Sequence, residues 1–374
     1  MLAGPYTTMI LADLGAEVVK IEQPKIGDIT RNLLKDDPKY SLDGIGAYHL
    51  TLGRNKKSIE LDLKSEQGLK LFKELAEVAD VVVDNFSQGV TKRLGIDHQC
   101  LKKVNPKIIT CSISGFGDTE VNRPAYDNLI QGYAGAMSIT GTDKENPVKS
   151  GIPIADLGAG LYAVIGILSA IQSREKNDSG EHVDISMLDT QVSLLTYMAT
   201  MHFLSGENPE PIGNQHMNHV PFNSYRTSDG FIQIGVVAED FWPSLIEALD
   251  LRQLDTEENK VRSGRLKNRE NIDQVVQEVF ITNTTEHWLK TLQKHRVPCG
   301  PINTFSETFQ DADLLKRNMI VEVLQDSGAS VKMPGNPVKI SNHDEEFRRS
   351  PKLGEHTSEI LKDWLNKDIS IDQD

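Results

Sequence analysis

Two periodicities alternate along the first half of the chain. Thr7 to Leu14 repeats with helical spacing, and Ala16-Glu17-Val18-Val19-Lys20-Ile21-Glu22 alternates as a strand does. Ser58 to Leu63 reads as a second strand. Lys64 to Ala79 is helical, with apolar residues at Leu69, Leu71, Phe72, Leu75 and Val78. Asp80-Val81-Val82-Val83-Asp84 and Lys107 to Ile113 are short apolar runs of strand length. This rhythm predicts an α/β fold with a parallel sheet covered by helices, and ligands then bind beyond the carboxyl ends of the strands.

Further on, Leu157 to Lys176 reads as one long helix, His182 to Ser186 as a strand, and Leu188 to Leu204 as a second long apolar helix. Helices this apolar pack in a core or against another subunit. The polar, proline-bearing stretch 206–222 reads as a linker. Phe231 to Val237 is a strand, followed by helical patterns at Phe241 to Leu249, Asn271 to Phe280 and Thr285 to His295. The predicted organisation is a large domain over 1–205, a linker over 206–222, a small α+β domain over 223–303, and a return to the large domain over 304–374. The acidic tail after Asp368 reads as frayed.

Composition narrows the classes. The chain has 374 residues, 38% hydrophobic and 25% charged, as in soluble globular proteins. Cys100, Cys111 and Cys299 are dispersed and form no CxxC pair, which argues against a disulfide framework and fits a reducing, cytoplasmic setting. The apolar runs fall short of a membrane span, and the N-terminus carries no secretory pattern. A formal charge of −14 disfavours nucleic acid, while an anionic small molecule would need local basic groups. No GxGxxG follows a strand: Gly115-Phe116-Gly117 and the pair Gly132 and Gly135 lie in the wrong context for dinucleotide binding. His216 and His219 have i, i+3 spacing but no third ligand nearby, so no metal site is expected.

Gly151-Ile152-Pro153-Ile154-Ala155-Asp156-Leu157-Gly158-Ala159-Gly160 places a carboxylate where an apolar run meets a helix. Asp is a preferred N-cap, so Asp156 reads as a cap. The same position suits a carboxylate nucleophile, beside backbone N–H groups able to hold an oxyanion. Both readings stand on this stretch alone.

Several segments in order resemble one family, the class III CoA-transferases, which share their fold with alpha-methylacyl-CoA racemase. They are Leu2-Ala3-Gly4-Pro5, Ala12 to Glu22, Arg54-Asn55-Lys56-Lys57-Ser58, Asp84-Asn85-Phe86, Arg93-Leu94-Gly95, Ser112 to Gly117, Arg123-Pro124-Ala125-Tyr126-Asp127, Gly180 to Asp189, Val297 to Pro301 and Leu353 to Thr357. The resemblance implies a Rossmann-like large domain and a small α+β domain in an interlocked homodimer. It also implies a strand ahead of Leu2, where this chain starts inside the motif.

The resemblance makes Asp156 the catalytic carboxylate, carrying CoA between acids through mixed anhydrides and an aspartyl-CoA thioester. Coenzyme A enters as substrate and no permanently bound cofactor is expected; acyl-CoA and carboxylic acids are the partners, with neither nucleic acid nor membrane. Backbone N–H groups of Gly158 to Gly160 are the expected oxyanion donors. Arg54, Lys56, Lys57, Lys92 and Arg93 are candidates for the CoA phosphates, Asn85 and Phe86 for the adenine, and Tyr126 and Asp127 for the CoA region. Racemases of this family carry a His where this chain has Tyr126, and a phenol of pKa about 10 is a poor base at neutral pH. A 2-methylacyl-CoA racemase or epimerase is therefore the alternative, and a non-catalytic CoA-binding subunit the third. The glycine run of formyl-CoA transferases and their Gln at the Leu2 position are absent, which disfavours formyl and oxalate substrates. Glu239 resembles a racemase active-site glutamate. A short dicarboxylic donor such as succinyl-CoA is the expected class.

Overall fold

The computed structural model describes residues 1–121 and 123–367; the acidic tail after Asp368 lies outside the described residues. The chain forms two units, one of residues 1–136, 149–206 and 312–374, the other of residues 137–148 and 207–311.

In the first unit, helix α1 (Ala3–Asp13) leads into β1 (Val18–Glu22), which pairs in parallel with β2 (Lys56–Glu60). Helix α2 (Glu66–Val78) follows, capped by the Ser65 hydroxyl. A second parallel sheet has the order β3-β4-β5, from β3 (Val81–Asp84), β4 (Ile109–Ser114) and β5 (His182–Ser186). The short helix α3 (Val90–Leu94) follows β3, and α4 (Asp127–Tyr133) follows β4. Helix α1 packs on both β1 and β3.

Strand β2 starts two residues before its expected position, because its pairing with β1 runs from Val18 opposite Lys56. The alternation of a strand then turns Lys56 and Ser58 inward and leaves Lys57 half-exposed.

Helix α5 (Ile154–Asn177) crosses the β3-β4-β5 sheet. Ala155, Ala159, Ala163 and Ile167, four residues apart, are fully buried against Cys111 and Ile113. Small residues let the backbones approach closely. A Cβ on Gly160 would lie 3.1 Å from the Ala3 carbonyl oxygen, and one on Gly166 would lie 2.6 Å from Val183 Cγ1. Contrary to the sequence expectation, α5 is long and apolar enough to cross a membrane by length and composition alone. Here it serves as the helix that packs on this sheet, which satisfies the same pattern.

The second long helix divides into α6 (Met187–Leu194) and α7 (Thr196–Ser205), broken where Thr196 takes φ +48°. Periodicity cannot reveal one left-handed residue inside an unbroken apolar run, and a β-branched residue rarely adopts it.

The second unit joins an antiparallel sheet of β6 (Phe222–Arg226), β7 (Phe231–Gly235) and β8 (Cys299–Pro301) to helices α8 (Phe241–Leu249), α9 (Arg269–Phe280) and α10 (Thr285–Lys294). Its core is aromatic at the centre, with Phe280 edge-on to Trp288 at 5.4 Å. Returning to the first unit, β9 (Ile320–Leu324) and β10 (Ser330–Pro334) form a hairpin, and α11 (Thr357–Leu365) packs on α2 and β2.

Candidate active site

Asp156 is the third residue of α5, not its cap. The N-cap is Pro153, which has no side chain to offer the free N–H groups. Asp127, at the start of α4, performs that task from outside. Its Oδ1 accepts the N–H of Ala155 at 2.9 Å and that of Asp156 at 3.4 Å, while its Oδ2 accepts Gln131 Nε2 at 2.6 Å. Gln131 in turn accepts the Ser150 N–H at 2.8 Å, tying the segment before α5 to α4. Asp127 is therefore engaged by the α5 backbone and Gln131 and acts as a positioning residue for the start of α5. Gln131 had no signal in the sequence, because its role depends on two segments 19 residues apart meeting.

The Ala3 N–H at the start of α1 lies near the Asp156 carboxylate and acts to lower its pKa. Two helix beginnings thus converge on it, each with unpaired N–H groups and the positive end of its dipole. Burial pushes the Asp156 carboxyl above the ordinary carboxylate range and the Asp127 charge adds to the rise, while the Met1 ammonium and, to a smaller extent, the Ala3 N–H oppose it. The result is a carboxylate less stabilised by solvent than one in water, and so more nucleophilic.

The glycines after Asp156 do not supply oxyanion donors. Gly158, Ala159 and Gly160 lie within α5, where their N–H groups belong to the helix ladder. Their use is steric: a Cβ on Gly158 would stand 3.0 Å from Thr190 Cγ2, and Gly160 admits α1. The backbone N–H acting on the Asp156 carboxylate is that of Ala3, at the start of α1.

Two basic candidates are corrected. Arg54 is 2% exposed, holds Asp13 through Nε at 3.1 Å and a second nitrogen at 2.6 Å, donates to the Pro334 carbonyl, and stacks on Phe347. Lys56 is enclosed, donating to the Pro5 carbonyl at 2.7 Å and the Thr8 hydroxyl at 2.8 Å, and burial holds its amine well below the usual lysine range. Neither can reach a phosphate in solvent; both fasten α1 to the sheet. Lys57 is paired with Glu17 at 2.6 Å and Glu359 at 2.8 Å, beside a cavity of about 570 Å³.

Asn85 also changes role. Its Oδ1 accepts the Gly4 N–H at 3.4 Å and its Nδ2 donates to the Ile113 carbonyl at 2.7 Å, so it locks the start of α1 to β4. Of the remaining candidates, Phe86 and Lys92 lie together. Phe86 is 41% exposed, and it and Lys92 border a cavity of about 250 Å³ beside β3. Lys92 makes one long ion pair, 3.5 Å from Asp118. Arg93 is exposed at the end of α3. Tyr126 is 62% exposed just ahead of α4.

In the second unit, the His216 and His219 rings lie 4.6 Å apart. Glu239 accepts a hydrogen bond from the buried Arg265 at 2.8 Å, and that arginine also donates to the Val220, Asn259 and Lys260 carbonyls.

A parallel-sheet α/β fold with a buried-edge aspartate under two helix starts has relatives. Residues 1–357 match the model of CoA-transferase family III, and the chain belongs to that family; it is a class III CoA-transferase. It is 34% identical to the succinyl-CoA:glutarate CoA-transferase of Homo sapiens over 98% of this chain and 84% of that protein. It is also 34% identical to the succinyl-CoA:mesaconate CoA-transferase of Haloarcula hispanica, over 96% of this chain and 92% of that one. Its fold superimposes with a TM-score of 0.86 on a CAIB/BAIF family protein from Brucella suis, at 35% identity over 97% of this chain and 96% of that structure.

Proposed function

We propose that this enzyme moves CoA between short dicarboxylic acids, with Asp156 as the covalent carrier. The observation that carries the reading is the half-buried Asp156 carboxylate beneath the starts of α1 and α5, in a chain whose relatives are named for succinyl, glutarate and mesaconate transfer. The Asp156 carboxylate attacks the acyl-CoA carbonyl and expels CoA thiolate, leaving a mixed anhydride. The thiolate attacks the aspartyl carbonyl, releases the donor carboxylate and forms an aspartyl-CoA thioester. The acceptor carboxylate attacks that thioester, forming a second anhydride and freeing thiolate. Attack of thiolate on the acceptor's acyl carbon gives the new acyl-CoA and restores Asp156. Splitting the transfer this way replaces one difficult step by easier ones. The Ala3 N–H, beside the carboxylate, is the backbone donor proposed to meet the charge that develops on the aspartyl oxygen.

Phe86, Lys92 and Arg93 are the residues proposed for the CoA nucleotide, being exposed and adjacent where the other basic candidates are not. The order β2-β1 on one side and β3-β4-β5 on the other, with α1 against both, supports the Rossmann-like reading. An interlocked homodimer is supported by apolar surface that a lone chain leaves wet: Leu161, Ile165 and Leu168 along α5, and Phe203 and Leu204, 81% and 83% exposed, on α7. The dispersed cysteines support a cytoplasmic setting.

The test is transfer itself: labelled succinate and glutarate incubated with succinyl-CoA, with thioester products followed by chromatography. Absence of exchange with any short dicarboxylic acid sinks the reading. α-Proton exchange on a 2-methylacyl-CoA is expected to be absent, since the Tyr126 hydroxyl makes no hydrogen bond among the described residues. Asp127→Asn gives a further check. The amide oxygen can still accept the Ala155 and Asp156 N–H groups, but the negative charge that raises the Asp156 pKa is gone. The acid limb of the kcat/KM–pH profile is expected to move to lower pH. An unmoved limb, with activity retained, removes Asp127 from the tuning of Asp156.

A further inference from the structure

The groups described around Asp156 answer a thioester carbonyl, yet none answers the second negative charge of a dicarboxylic acyl group. Cations in the surrounding framework are mostly committed. Lys20 pairs with Asp28 at 2.7 Å, Arg31 with Glu22 at 2.6 Å and Arg54 with Asp13 at 2.6 Å, while Lys56 is enclosed. Arg123 differs. Its guanidinium carbon lies 4.5 Å from the Phe116 ring centre and 4.3 Å from that of Tyr133. Its side chain donates one hydrogen bond, to the Tyr133 hydroxyl, and forms no ion pair among the described residues. Aromatic faces fix a cation's position without cancelling its charge, so an incoming anion meets a held, uncompensated guanidinium.

Both rings belong to the surroundings of Asp156. Phe116 packs in the same buried cluster as Ala155, the chain neighbour of Asp156, and Ala3, whose backbone lies near its carboxylate. Tyr133 ends α4, the helix whose first residue caps the Asp156 turn. Arg123 is four chain steps from Asp127, a span of at most about 14 Å of extended chain. The intervening Ala125 is pressed onto Gly115, where a Cβ would come within 2.1 Å of its own.

We propose that Arg123 binds the far carboxylate of the dicarboxylic acyl group handled at Asp156, and thereby selects dicarboxylic over monocarboxylic acids. The proposal rests on the transferase reading above. A guanidinium fork matches a carboxylate with two parallel hydrogen bonds, which an ammonium cannot do.

The test compares kcat/KM for glutarate and for valerate, acids of equal chain length, with succinyl-CoA as donor, in the wild type, Arg123→Gln and Arg123→Lys. Using one donor throughout cancels any effect on the donor in the ratio. The wild type is expected to prefer glutarate. Arg123→Gln is expected to lower the glutarate-to-valerate ratio roughly tenfold to a hundredfold, and Arg123→Lys to fall between. The inhibition constant of free CoA is expected to stay unchanged. An unchanged ratio in Arg123→Gln overturns the proposal. So does a weakened CoA inhibition with the ratio intact, which would assign the guanidinium to a phosphate. Wild-type transfer without preference for glutarate overturns it as well. Wild-type protein that transfers to no acid overturns the transferase reading first, before any substitution is made.

Discussion

Asp156→Asn is expected to abolish CoA transfer, lowering kcat by about a thousandfold or more, because an amide cannot form the anhydride or the thioester. Free CoA should still bind, since the nucleotide residues proposed lie on other elements. The check is isotope exchange between succinyl-CoA and labelled succinate, paired with trapping. Borohydride reduction of enzyme incubated with an acyl-CoA should convert Asp156 to a homoserine-like residue, found by peptide mass spectrometry. Stability should move in the opposite direction to activity. Burial and Asp127 raise the Asp156 pKa in the folded chain. Between the unfolded value and the raised folded value the native state binds more protons, so stability falls as pH rises through that window. At neutral pH the ionised carboxylate therefore costs stability, and the neutral variant should melt at the same or a higher temperature. Full transfer activity in Asp156→Asn, or a trapped adduct elsewhere, would falsify the covalent role.

Arg54→Ala is expected to cost about 3–5 kcal/mol of folding free energy, the effect of leaving one member of a buried ion pair without its partner. Asp13 and Arg54 are 1% and 2% exposed in their side chains. The removed guanidinium also takes the donor from Asp13 and the contact with Phe347. Urea denaturation followed by circular dichroism measures the loss. Replacing both partners, Asp13→Leu with Arg54→Met, should recover most of it, because no uncompensated buried charge remains. The folded fraction of the single variant should bind CoA as tightly as the wild type. A variant that folds with unaltered stability but binds CoA weakly would return Arg54 to the phosphate role its sequence context suggested.

Much of the architecture was legible because period and length are local properties. Strand β5 and helix α8 lie where alternation and helical spacing placed them, and the boundaries of α2 and α9 shift by only about two residues. The family was legible for a different reason: an ordered set of short motifs survives without any single one being decisive. The break at Thr196 was not legible, since the apolar pattern continues through it.

For the site, the sequence by itself determined that a carboxylate stands at the beginning of an apolar helix, within a chain of this family. What each neighbouring residue does was decided only by tertiary structure. Arg54, Lys56 and Asn85 carry groups suited to CoA, and the sheet register and the docking of α1 turn them inward to hold the fold. Asp127 is 29 residues from Asp156, yet it supplies the cap Pro153 lacks. Arg123 is an ordinary surface arginine until folding sets it against the edge-to-face pair of Phe116 and Tyr133. The physical reason is the same in each case. A side chain's type sets which interactions it can make, but desolvation and distance decide which it does make, and both are properties of segments brought together by folding.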